Sequence, residues 1–299
     1  MRVGFVCAIT LLGAVAAEAQ ATLIGQLTWP SDDRAIGGLS GFDLAMDGRS
    51  FVAVNDRGVL LTGRIERAAN GAPLNVVDVT KGPLKALDGA GVRGLDIDSE
   101  GVALMPDGQF AVSFELKHRV WRYADTTAIP QALPSYPLFD GLQVNSSLEA
   151  LAVDSDGVLY TMPERSGDIE RAFPVFRYRA GNWDQPFDIP RRGPFLLVGA
   201  DVGPSGRLYI LERDFSFIFG FTSRVRSFAI DADSITDERV HLETERGDHD
   251  NLEGVAVWQN ALGQVHLTMV SDNNFSPLQV TEIVEYRLDT PLDGSPITR

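Results

Sequence analysis

Six carboxylates stand at recurring places along this sequence: Glu100, Glu115, Glu149, Glu164, Glu253 and Asp272. Each lies at one end of a short apolar segment, and the segments come in pairs joined by a tight-turn signal such as Asp107-Gly108 or Asp156-Gly157. In a two-residue hairpin, paired positions have numbers that sum to the same value as the two turn residues. By that rule Glu100 faces Glu115, Glu149 faces Glu164, and Glu253 faces Asp272 across the Leu262-Gly263 turn. Like charges directly opposed, with Cβ atoms ~4.5–5.5 Å apart, destabilise a sheet. Either a hard cation with several oxygen ligands or a shared proton with a raised pKa offsets that repulsion. The chemistry expected is a divalent metal site, calcium by ligand type, held by these six acids or a subset of them.

Three acids are followed at once by arginine, as Asp56-Arg57, Glu164-Arg165 and Glu212-Arg213. A planar guanidinium suits carboxylate clamping and phosphate binding, so Arg57, Arg165 and Arg213 are candidate substrate-binding residues, with structural bridges between elements as the alternative. The segment Gly247-Asp248-His249-Asp250-Asn251 adds oxygen ligands and the histidine best placed for proton transfer. Glu149, Glu253 and His249 are therefore the catalytic candidates. The acidic loops lack the ordered spacing of an EF-hand. Ser40 lacks the final glycine and the strand-to-helix setting of a nucleophile elbow, so serine chemistry is discounted. Phe215, Phe217, Phe219 and Phe221 alternate with period two, which reads first as a buried strand face.

The elements that must position these groups form an internal repeat. Equivalent positions fall at 40, 100, 149, 198 and 253, spacings that suit one four-stranded propeller blade each. Each unit is an apolar run, a turn and a second apolar run, followed by outer strands such as Arg119–Tyr123 and Glu282–Arg287. No long stretch of helical periodicity accompanies them. The fold class expected is all-β, a single-domain β-propeller of five or six four-stranded blades, with Thr22–Trp29 pairing with a C-terminal strand to close the ring. Radial blades bring equivalent hairpin ends to one face of a central channel, so the acids are expected in one cluster.

The formal charge of −15 without a Lys/Arg run argues against nucleic acid or an anionic membrane surface as partner. Residues 1–19 read as a signal peptide: Arg2, an apolar stretch from Val3 to Ala17, and the small-x-small site Ala17-Glu18-Ala19. The stretch is shorter than the ~20 apolar residues of a membrane span. The mature domain, 20–299, is expected to be periplasmic or secreted, without membrane insertion. Cys7 lies inside the signal, leaving no thiol for a disulfide or a Cys-based metal site.

Gly38-Leu39-Ser40-Gly41 with Asn55-Asp56-Arg57-Gly58, Leu148-Glu149-Ala150-Leu151-Ala152 with Pro163-Glu164-Arg165, Leu211-Glu212-Arg213-Asp214-Phe215, and Asp250-Asn251-Leu252-Glu253-Gly254 with Ser271-Asp272-Asn273-Asn274-Phe275 together resemble the family called esterase-like activity of phytase. The resemblance implies an exported propeller-like domain and a link to ester or phosphoester hydrolysis; it carries over no catalytic residues. The function expected is a metal-dependent hydrolase of a small-molecule ester or phosphoester. Two alternatives stay open: a non-enzymatic propeller whose structural ion accompanies binding of a protein or glycan, and a lactonase-like hydrolase.

Overall fold

A computed structural model describes residues 21–29 and 36–289; the expected signal peptide lies outside them. The chain forms five four-stranded antiparallel sheets in a ring. Blade one comprises β2 (Leu39–Leu44), β3 (Ser50–Asn55), β4 (Val59–Arg67) and β5 (Pro73–Pro83). Blade two comprises β6 (Ser99–Leu104), β7 (Phe110–Phe114), β8 (Arg119–Tyr123) and β9 (Gln131–Ala132). Blade three runs through β10 (Leu148–Val153), β11 (Leu159–Pro163), β12 (Phe173–Arg179) and β13 (Asn182–Ile189). Blade four has β14 (Leu196–Val202), β15 (Arg207–Ser216), β16 (Gly220–Asp231) and β17 (Ser234–Glu243). Blade five has β18 (Asn251–Gln259), β19 (Val265–Asp272) and β20 (Glu282–Leu288), and takes β1 (Ala21–Thr28) as its outer strand. This pairing of β1 with β20 closes the ring as expected and ties both ends of the domain into one sheet. The count is five blades, not six, and no α-helix occurs among the described residues.

Strand chemistry follows radial position. The inner strands β2, β6, β10, β14 and β18 are buried almost throughout, whereas outer strands such as β5 and β17 alternate with solvent. The apolar core is divided into five clusters, one in each seam between neighbouring sheets. Val52 and Val54 meet Val102 and Val112 between blades one and two, for instance, and Val198 meets Val255 between blades four and five. Face-to-face sheet packing buries the apolar side chains of both sheets, and it is the main force holding the ring.

The hairpins differ from the expected register. In blades two to five the turn holds three residues, as Met105 N–H bonds the Gln109 carbonyl and Asp154 N–H the Val158 carbonyl, with glycine left-handed at the third position (Gly108 φ 85°, Gly157 φ 80°). A three-residue loop shifts the pairing by one residue from that of a two-residue turn. Farther along, each inner strand carries a β-bulge at the repeat-equivalent place: Ser40, Glu100-Gly101, Glu149, Val198 and Glu253. The expected direct opposition of Glu100 with Glu115, Glu149 with Glu164 and Glu253 with Asp272 is thus corrected. The bulged acid has no cross-strand partner, and a bulge re-aims a side chain out of the ladder.

The residue that ends the bulge is small because the inner strands crowd together around a five-fold channel. A Cβ on Gly41 would lie 2.3 Å from the Glu100 carbonyl oxygen, and one on Gly199 would lie 2.5 Å from that of Glu253. Ser40-Gly41, Glu100-Gly101, Glu149-Ala150, Val198-Gly199 and Glu253-Gly254 are therefore one structural feature written five times.

Candidate functional site

The bulges and the residues that follow the inner hairpins build two tiers at one end of the channel. The bulge tier holds Ser40, Glu100, Glu149, Val198 and Glu253. The second tier is the residue that follows the partner of the position just before each bulge: Asp56, Glu115, Glu164, Arg213 and Asp272. All six predicted metal ligands belong to these tiers. They interact electrostatically as one cluster, since Glu100 feels Glu149, Glu115 and Glu253, while Asp272 feels Glu253 and Asp56.

Arg213 is the one guanidinium placed in the tiers. It donates to Asn251 Oδ1 and Glu253 Oε1 through short contacts and to Glu164 Oε1 at 3.2 Å. Burial alone would lower its pKa, but Glu253, Glu164 and Glu149 together raise it, so its charge is locked on. Arg165 Nε reaches Glu164 Oε2 at 3.2 Å. Glu115 accepts from Ser147 N–H at 3.2 Å, Asp272 from Asn274 N–H at 2.6 Å, and Glu253 also from Asn251 Nδ2 at 2.9 Å.

Glu100 and Glu149 have no side-chain hydrogen bond or ion pair among the described residues. Burial pushes both pKa values well above the ordinary carboxylate range. The charges of Glu149 and Glu115 add to the effect on Glu100, and those of Glu164 and Glu253 to the effect on Glu149. Burial also raises Glu115 to about 7, with Asp98 adding to the shift, and Asp272 to about 8, with Glu253 adding. Asp56 rises to about 6, again by burial. Oxygen atoms of Asp98, Glu100 and Glu115 lie within 4.8 Å of one another, a set that fits a hard cation by donor type.

Asp98 and Asp56 were not among the expected ligands. Asp98 stands two residues before the bulge, the place Asn251 takes in blade five, and Asp56 occupies the blade-one position of Glu115. Aligning the repeats on the bulge, rather than pairing acids across a turn, is the signal that finds both.

The other candidates are less united. Arg57 sits at the blade-one rim, its guanidinium carbon 3.4 Å from the centre of the Phe275 ring. The loop bearing Phe275 is pinned to blade one by Asn273 Oδ1, which accepts Gly38 N–H at 3.1 Å. His249 is buried, with Nε2 2.7 Å from the Tyr286 hydroxyl and Nδ1 3.8 Å from Glu282, and burial lowers its pKa. Its ring packs edge-on against Tyr286, and no tier carboxylate is among its charged neighbours. Glu212, adjacent to Arg213, is fully buried against Arg224 and Arg226 as a structural ion-pair network. The phenylalanine run departs from expectation: Phe215, Phe217 and Phe219 are exposed, because β15 and β16 extend as a two-stranded hairpin with no sheet packed over it. Beside the tiers lies an open cleft of about 660 Å³ lined by Glu164, Arg165, Arg191, Arg213, Phe215 and Phe221 among others.

No curated protein matches the chain by sequence. Among solved structures, the catalytic domain of an α-L-arabinofuranosidase from Coprinopsis cinerea is similar at 10% identity and a TM-score of 0.55, covering 93% of this chain and 99% of that one. An α-L-arabinofuranosidase from Podospora anserina, solved with cellotriose, is similar at 12% identity and a TM-score of 0.53, covering 92% and 98%. At such identity the likeness speaks for the propeller fold alone. The family model described as phytase-like, esterase-like activity of phytase, matches residues 34–275, which takes in blades one to four and the two inner strands of blade five up to the Asn273–Phe275 clasp, and the chain belongs to that family.

Proposed function

We propose that the protein is an exported hydrolase of ester or phosphoester bonds whose acidic tiers take a divalent cation, calcium by donor type. The observation that carries this reading is the pair Glu100, buried, and Glu149, half-buried, carboxylates with no hydrogen-bond donor and no ion pair among the described residues. Leaving buried charge uncompensated is costly, and a bound cation is one of the two ways to offset it. Asp98, Glu100 and Glu115 are the first ligand set, with Glu149, Glu164, Glu253 and Asp272 available around it. When bound, the ion supplies Lewis acidity toward a phosphoryl or carbonyl oxygen and lowers the pKa of a coordinated water.

The chain's own residues do the remainder. Arg213 holds Glu253 and Glu164 in fixed orientations, so that Glu149 stands as the carboxylate free to accept a proton from attacking water. Burial and the neighbouring carboxylates raise its pKa, which makes it a stronger proton acceptor than an ordinary carboxylate. Arg165, half exposed at the cleft, orients an anionic group, and Arg57 extends the positive rim on blade one. His249 acts at a distance by holding the Asp248–Asn251 loop through Tyr286. The substrate is a small molecule, and the family description supports an ester or phosphoester over other bonds.

The test is hydrolysis of p-nitrophenyl phosphate, bis(p-nitrophenyl) phosphate, short acyl esters and a lactone panel, with excess calcium and with chelator, beside thermal melting under both conditions. Calcium-dependent turnover that Glu149→Gln abolishes in a folded protein supports the enzyme. A second reading rests on the acids coming from blades two, three and five, so that an ion there would staple three blades. Under it calcium raises the melting temperature with no turnover on any substrate.

A further inference from the structure

The cleft beside the acidic tiers contains two features that cation binding leaves unused. The first is a pair of arginines. Arg191, from the loop between β13 and β14, makes no ion pair among the described residues. Its guanidinium is held only by neutral acceptors at long range: Ser166 Oγ at 3.4 Å and the carbonyls of Asp168, Gly193 and Pro194 at 3.3–3.4 Å. Arg165, lining the same cleft, uses Nε on Glu164 and leaves both Nη groups without a partner among the described residues. The two cations are near enough that Arg165, after burial, helps to depress the Arg191 pKa. Arg165 with its free Nη groups, beside Arg191 whose charge meets only long contacts to neutral acceptors, forms a site for an anion with several oxygens.

The second feature is the aromatic pair Phe215 and Phe221. They face each other across β15 and β16 with ring centres 4.8 Å apart and line the same cleft, with Phe215 58% exposed. An aromatic pair left at the mouth of a cleft offers a surface for a flat apolar group. The volume, about 660 Å³, suits a molecule carrying both an anionic head and a ring.

We propose that this cleft is the substrate subsite for an aryl phosphoester, its phosphoryl oxygens on Arg165 and Arg191 and its ring on Phe215 and Phe221. The inference rests on the phosphoester reading above and narrows it, for it excludes substrates whose leaving group is wholly polar. Arg191 is the added residue: the sequence offers no acid beside it and no repeat position to mark it.

Binding is tested apart from turnover, by isothermal titration calorimetry of the mature protein with chelator present, using phenyl phosphate, inorganic phosphate and phenol as probes. Phenyl phosphate is expected to bind about tenfold more tightly than inorganic phosphate. Phe215→Ala, at an exposed site where folding is unaffected, is expected to remove most of that margin while leaving inorganic phosphate unchanged. Arg191→Gln weakens both anions about tenfold, and Arg191→Lys, which keeps the charge but loses the fork, restores only part of the loss. Equal affinity for phenyl phosphate and inorganic phosphate, or an Arg191→Gln protein that binds both as the wild type does, overturns the proposal. Because no cation is present, failure of calcium-dependent hydrolysis with this binding pattern intact would sink the hydrolase and leave the subsite standing.

Discussion

The inner strands carry buried and half-buried acids at two levels, and the two are treated differently by the fold. At the bulge level, blades two, three and five place Glu100, Glu149 and Glu253 at the channel end. Three residues farther along, the strands whose bulge residue is Ser40 or Val198 carry Asp43 and Asp201, while the other three carry Ala103, Ala152 and Ala256. Asp43 accepts backbone N–H groups from Leu44 at 2.7 Å and from Leu104 of the next blade at 2.6 Å; Asp201 accepts from Val257 of the next blade at 2.6 Å. Burial raises the pKa of both aspartates, Asp201 to about 7, and the backbone donors oppose the shift. Glu100 and Glu149 receive no such donors. The comparison teaches that burial of an acid alone does not mark a site. An acid stapled to a neighbouring strand is a structural joint, whereas an acid left without donors, among others of its kind, is poised for an external proton or cation.

The largest effect comes from removing the fixed cation of the acidic tiers. Arg213→Met leaves Glu253 and Glu164 without their partner, and unfolding in urea should show a loss of about 3–5 kcal/mol in chelator, smaller with calcium present. Next is the dependence on pH. Glu115 and Asp272 hold their protons in the folded state up to about 7 and 8, above their ordinary values, so the folded form binds more protons than the unfolded one. Stability from these groups is full below pH ~4 and falls as pH rises through 8. A melting curve in chelator should therefore drop across that range, and calcium should flatten it; an apo protein that gains stability as pH rises would contradict the shared-proton account. A smaller loss is expected at the joint: Asp201→Ala strands the Val257 N–H and should cost about 1–3 kcal/mol by urea titration, equally with and without calcium. Smallest and opposite in sign is Glu100→Gln, which relieves like-charge repulsion. Above neutral pH it should raise the chelator melting temperature by about 2–4 °C, on the order of 1 kcal/mol, while weakening the calcium-induced shift. If Asp201→Ala and Glu100→Gln moved stability in the same direction, the two levels would be equivalent and the comparison would fail.

Much of this architecture was legible in residue order. The repeat at Ser40, Glu100, Glu149, Val198 and Glu253 announced the blades, because each must bury an apolar inner strand against its neighbours. The closing strand Thr22–Trp29 and the clustering of the six acids followed from the same periodicity. The hairpin register was misjudged for a local reason: Asp-Gly signals a turn equally well at two or three residues, and the third residue shifts every pair. The phenylalanine run was misjudged for a non-local one. Alternation says that one face of a strand is apolar, and it cannot say whether another sheet covers that face. Arg191 was missed because nothing in its immediate sequence marks it, and Asp98 because the acids were paired across turns and the repeats not aligned on the bulge.

By itself, then, the sequence determined what repeats: the hairpin unit, its turn positions, the small residue beside each bulge and the acid content of each blade, since all depend on local sterics and on burial at a fixed period. Only the tertiary structure decided which acids are joints and which are open. That depends on whether a neighbouring blade presents a backbone N–H, as Leu104 and Val257 do, or another carboxylate, as Glu149 does to Glu100. Distances between blades are set by how five sheets close into a ring, a property of the whole chain that no single segment encodes.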